Sequence, residues 1–191
     1  VASKAVTANG NVTQTTAQFK LGGNSTVFDG NGDYLNLADS DDWNFGSGDF
    51  TIDFWVRFNS LPDSTMVNPW MMVVSKRATP SDDQNVWAFG LEETSGASSP
   101  ETYRWSFVSY EVGGQSQPRI LIRGNTAPSV STWYHIAIVR NGSGWYIFQD
   151  GVQIGTGTDT DAVVNVSGLL LIGQYGHATA PYWLDGYIDE L

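Results

Sequence analysis

The chain has no cysteine, which removes disulfides, thiolate metal sites and cysteine nucleophiles together. Positive charge is scarce: nine Lys and Arg stand against twenty Asp and Glu, for a formal charge of −11. Such a surface repels a phosphate backbone and has no basic stripe, so nucleic acid is not an expected partner. No apolar run reaches the roughly 18 residues a membrane helix needs, so membrane insertion is not expected. No signal-peptide pattern is present either, and the chain opens on Val1, so it reads as a processed or excised piece of a longer protein. No long segment holds a 3.6-residue period, and no repeat of 20 to 50 residues recurs, which disfavours helical, propeller and solenoid folds.

What is present is apolar and aromatic. Residues of hydrophobic type make up 41% and eight are Trp, enough to offset chain entropy in one core without staples. One domain over residues 1–191 is expected. Period-two alternation marks strands at Ser25–Asp29, Tyr34–Leu37, Phe50–Phe58, Trp70–Ser75, Val86–Leu91, Tyr103–Tyr110, Arg119–Ile122, Tyr134–Arg140, Trp145–Gln149, Leu169–Ile172 and Trp183–Ile188. Asn-Gly and Asp-Gly pairs at Asn9, Asn31, Asn141 and Asp150 tolerate the positive φ of tight hairpin turns. Three polar stretches, Leu61–Pro69, Thr79–Asn85 and Thr94–Thr102, read as longer loops. Strands and turns at this spacing predict an all-β, two-sheet antiparallel sandwich of jelly-roll type. Both alternate residue sets of Tyr134–Arg140 are largely apolar, which predicts a central strand covered on both faces.

Several motifs then arrive in order. Val27-Phe28-Asp29-Gly30-Asn31-Gly32-Asp33-Tyr34-Leu35 is followed by Gly48-Asp49-Phe50-Thr51-Ile52-Asp53-Phe54-Trp55-Val56, then by Thr132 to Arg140, Ile147 to Val152, Leu171-Ile172-Gly173 and Leu184 to Leu191. The series resembles laminin-G-like jelly-roll modules of the concanavalin A-like lectin/glucanase superfamily over residues 20 to 191. In that family the closing segment runs a few residues past the Asp-Glu-Leu position. Residues 1 to 20, with Ala5-Val6-Thr7 and Val12-Thr13, are then expected to add an edge strand. Trp55, Trp133 and His135 are expected to pack inside the sandwich, because their neighbours are apolar.

The resemblance includes glycoside hydrolases and polysaccharide lyases, so catalysis must be judged on residues. The hydrolases carry Glu-x-Asp-x-x-Glu on one strand, and this chain has no such pattern. The Gln-Ile-His signature of the alginate-lyase relatives is also missing. Glu92 and Glu93 are adjacent in a strand, so they face opposite ways and make a poor acid/nucleophile pair. No enzyme activity is expected.

Binding is the expectation that remains. Trp70, Trp105, Tyr110, Tyr175, Tyr182 and Trp183 fall at strand ends or in loops, within reach of solvent, where aromatic faces stack on sugar C–H groups. His177, Arg104, Gln115 and Gln117 are candidates for the polar contacts. The resemblance also implies a structural Ca²⁺ on the convex side, with Asp189, the Asn31-Gly32-Asp33 turn through a Gly32 carbonyl, and Asp29 as ligands. The chain is thus expected to be a carbohydrate-binding recognition module of an extracellular, cell-surface or virion protein. The alternative is an adhesion or tail-fibre module that contacts other protein modules.

Overall fold

A computed structural model of the chain describes residues 4–62, 70–78, 86–94, 102–110, 118–177 and 182–191. The expected loop stretches 63–69, 79–85 and 95–101, together with Gln115 and Gln117, lie outside the described residues. Within the described residues the strands, in chain order, are β1 (Val6–Asn9), β2 (Thr13–Thr15), β3 (Ser25–Asp29), β4 (Tyr34–Leu37), β5 (Phe50–Phe58), β6 (Trp70–Arg77) and β7 (Val86–Glu93). They continue with β8 (Tyr103–Tyr110), β9 (Ile120–Arg123), β10 (Trp133–Asn141), β11 (Gly144–Gln149), β12 (Val152–Thr158), β13 (Leu170–Ile172) and β14 (Asp185–Asp189).

Seven strands form a first sheet in the order β1-β4-β13-β6-β7-β8-β9, and seven a second in the order β12-β11-β10-β5-β14-β3-β2. All pairings are antiparallel, giving the jelly-roll-type sandwich that the alternation predicts. The N-terminal segment supplies two edge strands rather than one: β1 borders the first sheet and β2 the second. The hairpin from β11 to β12 turns on Asp150 and Gly151, both at positive φ (51° and 79°), the twist-matched geometry that Asp-Gly favours.

The core lies between the sheets. Phe54 and Phe58 from β5 meet Phe89 from β7 and Trp105 from β8 at centroid distances of 5.7 to 6.1 Å, and Phe107 meets Trp145 at 5.1 Å. These tilted ring contacts add to simple burial. Trp105 therefore belongs to the core. Its exposure is 0%, and its Nε1 donates to Gln149 Oε1 at 3.3 Å. The reason is parity: Tyr103, Trp105, Phe107 and Ser109 form one alternate set of β8, and Phe107 fixes that set as inward.

Parity also corrects the expectation for β10. Ile136 and Ile138 are buried in the core with half-buried Tyr134 packed against it, whereas on the other set Ala137 is buried but Trp133, His135 and Val139 remain only half-buried. Trp55 is likewise half-buried on the outer side of β5, because Phe54, Val56 and Phe58 take the inner side. Trp55, Trp133 and His135 thus stand on the outer face of the second sheet, not inside the sandwich.

One irregularity shapes the first sheet. Trp70 pairs with Glu92 and Met72 with Gly90, but Val74 pairs with Phe89, which leaves Val73 as an extra residue in a β-bulge. Gly90 makes room for it. A Cβ at position 90 would meet the Met71 carbonyl oxygen, Met72 Cα at 2.6 Å and Val73 N at 2.9 Å. Backbone cannot yield as a flexible side chain does, so Gly90→Ala is expected to destabilise the fold by about 1–3 kcal/mol, read as a lower urea midpoint. Trp105→Ala is expected to cost about 3–5 kcal/mol, and Trp55→Ala, on the outer face, about 1 kcal/mol or less. Equal costs for the two tryptophans would contradict the assignment of faces.

Candidate functional site

The outer face of β6 to β9 is laid out by register. One row runs Trp70–Glu92–Arg104, the next Met72–Gly90–Ser106–Arg123, then Ser75–Ala88–Val108–Leu121 and Arg77–Val86–Tyr110. Glu92 sits at the centre of the first two rows. Its Oε2 accepts from Ser106 Oγ at 2.7 Å, Arg123 Nε at 2.9 Å and Arg104 Nε at 3.3 Å, while Oε1 accepts from Arg123 Nη2 at 2.6 Å. The Arg123 contact is a two-pronged fork, the geometry guanidinium and carboxylate favour. The Glu92 side chain is 9% exposed, while Arg104 and Arg123 keep 34% and 37% of theirs in solvent.

Burial alone would push the Glu92 carboxyl up. The hydrogen bonds from Arg123 and Ser106 and the charges of Arg123 and Arg104 outweigh it and hold Glu92 below the usual carboxylate range. A carboxylate held ionised with its lone pairs engaged anchors cations; it is badly suited to donate a proton. Among the described residues, Arg104 Nη1 and Nη2 and Arg123 Nη1 make no hydrogen bond within the protein.

Beside this cluster lies a row of rings. Trp70 is 6.0 Å from Tyr175, and Tyr175 is 6.0 Å from Tyr182. The Arg77 guanidinium sits 4.3 Å from the Tyr175 ring centroid. Residues 173–177 lie along β6, held by Gly173 N to Val73 O at 2.8 Å and Ser75 Oγ to Gln174 O at 2.8 Å. Tyr110 shares an outer cluster with Trp70, Tyr175 and Leu121, over Met72, Val86, Ala88 and Val108. Tyr182 adopts φ 47°, an unusual value for a bulky residue and one the surroundings must hold in place.

The structure thus brings together Trp70, Tyr110, Tyr175 and Tyr182 from the sequence-derived set. Trp105 is not among them, since a ring in the core cannot stack on a ligand. His177 is half-buried at the end of the described 173–177 segment. Trp183 is half-buried, with its Nε1 enclosed and without a partner among the described residues. Arg104 belongs to the sequence-derived set, whereas Ser106 and Arg123 do not. A signal for both exists, since they interrupt the outer phase of β8 and β9 with polar groups, but only the register carries them to Glu92.

The expected calcium ligands do not assemble. Asp29 pairs with Asp185 at one end of β14, and Asp189 lies four residues further along the strand, about 13 Å at the strand rise. Asp189 Oδ2 accepts from the amides of Lys20 and Leu21, each at 2.8 Å, and Asp29 Oδ1 from the Asn31 amide at 2.8 Å. Among the described residues no group of three acidic or histidine side chains is placed to hold a metal. Asp29 and Asp189 are therefore too far apart along the strand to ligate one ion together.

A second aromatic surface occupies the outer face of the second sheet. Trp55 and His135 lie 5.2 Å apart, Trp133 and Tyr187 6.3 Å, and Tyr146 and Phe148 6.4 Å, all half-buried. Lys20 Nζ sits 4.5 Å over the Trp55 ring, and His135 Nε2 is 3.0 Å from Asp53 Oδ2.

Residues 29–191 match the protein family described as the concanavalin A-like lectin/glucanases superfamily. Among solved structures, domain 4 of AbnA, a GH43 extracellular arabinanase from Geobacillus stearothermophilus in complex with arabinotriose, is similar over 97% of this chain and 79% of that one, at 15% identity and TM-score 0.62. The enzymatically active domain of bacteriophage CBA120 tailspike protein 2 is similar over 98% of this chain but 28% of its own, at 12% identity and TM-score 0.63. Domains LG4-5 of the mouse laminin α1 chain are similar over 86% and 39%, at 14% identity and TM-score 0.55. At these identities the likeness is one of fold. No curated protein sequence matches the chain.

The Glu92 cluster predicts a pH response. Its folded carboxyl titrates below the reference value of 4.5, so the cluster stabilises the fold above that pH and loses its contribution as pH falls through the lower folded value. Glu92→Gln is expected to destabilise by about 1–3 kcal/mol at pH 7. It should also flatten the decline of melting temperature on the acid side, checked by circular-dichroism melts across a pH series. An acid limb unchanged by the substitution would show that Glu92 does not carry it.

Proposed function

Because the chain belongs to the concanavalin A-like lectin/glucanase superfamily, we propose that it is a non-catalytic recognition module that binds a carbohydrate, on the outer face of its first sheet. The observation that carries this reading is the juxtaposition of Trp70 with Glu92, Arg104 and Arg123 across paired strands. Sugar binding needs an aromatic face for C–H stacking and planar polar side chains that fix orientation, and this row supplies both. The similar arabinanase domain, bound to arabinotriose, supports a sugar as the ligand class. The ligand is then an extracellular or surface glycan.

Glycoside hydrolysis by the common route needs two carboxylates roughly 5 to 9.5 Å apart, one protonated. Glu92 is held ionised by its cations, and its cross-strand neighbours on the outer face are Trp70 and Arg104, not a second carboxylate. Glu93 belongs to the other alternate set of β7. These features support binding without catalysis.

A second reading places the sugar on the second sheet, favoured by the half-exposed rings of Trp55, Trp133, His135 and Tyr187. A glycan array separates the two. The unaltered chain is expected to bind one sugar class, Trp70→Ala to weaken that binding by about tenfold, roughly one stacking contact, and Trp55→Ala to leave it unchanged. Loss with Trp55→Ala alone would move the site to the second sheet. An array silent for all sugars, with self-association on size-exclusion chromatography, would favour an architectural module that contacts protein.

A further inference from the structure

Among the described residues, the cluster around Glu92 on the outer face of β6 to β9 carries charge of the opposite sign to the chain as a whole. The charged side chains of the Glu92 cluster are Arg104, Arg123 and Glu92 itself. Two cations and one anion give +1, in a chain of formal charge −11. Nearby Arg119 is matched by Asp161 at 3.0 Å and adds nothing to the balance.

Within the cluster one carboxylate serves two guanidiniums. A salt bridge built only to join strands would be complete with one of each, whereas here a net positive charge remains. It is expressed at Arg104 Nη1 and Nη2 and Arg123 Nη1, the nitrogens without a hydrogen bond in the protein. Glu92 lies at the floor, 9% exposed, and holds both guanidiniums by their inner nitrogens, so their orientation is set before a ligand arrives. Preset planar donors at a surface, partly withdrawn from water, match the oxygens of a carboxylate or sulfate.

Resting on the carbohydrate reading above, we infer that the sugar this face takes is anionic, with its carboxylate or sulfate held by Arg104 and Arg123 and its ring against Trp70. The −11 charge of the chain opposes a polyanion at long range, but that field fades beyond about 8–10 Å at physiological ionic strength. Recognition is therefore short-range and confined to the fork. The same excess negative charge suppresses indiscriminate adsorption of polyanions, so binding that depends on one arginine is informative.

The test uses the whole chain and matched probes in biolayer interferometry: polygalacturonate against its methyl ester for the carboxylate, and dextran sulfate against dextran for the sulfate. At least one anionic member should bind about tenfold or more tightly than its neutral partner. The pair that shows this identifies the anion. Arg104→Gln should abolish the preference while lowering the melting temperature far less than Glu92→Gln does, since it leaves the Arg123–Glu92 fork intact, and Arg104→Lys should recover part of the preference. Equal binding of charged and neutral partners would overturn the inference while leaving the carbohydrate reading in place. So would an anionic preference that Arg104→Gln leaves untouched. If no charged probe binds, this inference fails; the carbohydrate reading fails with it only if the glycan array is silent as well.

Discussion

No carbon atom fits beyond Cα at residue 90, and the candidate site depends on that. With glycine there, the β6 backbone comes close enough to β7 to accommodate Val73 as an extra residue. The bulge shifts the strand's parity by one. Trp70 and Met72 before it face the same way as Ser75 and Arg77 after it, although even and odd positions of a regular strand point to opposite sides. Without the shift, Trp70 would share a face with Val74, which packs in the core, and no ring would stand opposite Glu92.

Given that geometry, electrostatics organises the rest of the face. Glu92 is nearly buried and would be costly if unpaired, so two cations from neighbouring strands are drawn to it. Each guanidinium bonds that carboxylate through some of its nitrogens and keeps about a third of its side chain in solvent. The same contacts join β7, β8 and β9, so stability and recognition rest on one group. Further along β6, Arg77 does comparable work for the aromatic row by backing the Tyr175 ring.

Much of the fold was legible in the residues because alternation is local. Each of the eleven strands marked by alternation has an observed counterpart, and Asp150-Gly151 turns as its chemistry requires. β1, β2 and β12 were harder to read: they are edge strands, with mostly exposed residues and little apolar contrast. The placement of aromatics went wrong in both directions. Trp105 entered the core and Trp55 left it, because an aromatic next to apolar residues looks alike on either face until a neighbour's side is known. The expected calcium ligands looked close through family pattern, yet the β3–β14 register sets Asp189 well along the strand from Asp29.

The sequence by itself determined an all-β sandwich, an acidic molecule without thiol chemistry, and the absence of the Glu-x-Asp-x-x-Glu signature, since these follow from composition and from spacing within single strands. Only the tertiary structure decided which aromatics meet solvent and that Arg104, Ser106 and Arg123 converge on Glu92. The physical reason is that such contacts run between strands. They depend on register, and at β6 on a bulge whose only local trace is one glycine in the strand beside it.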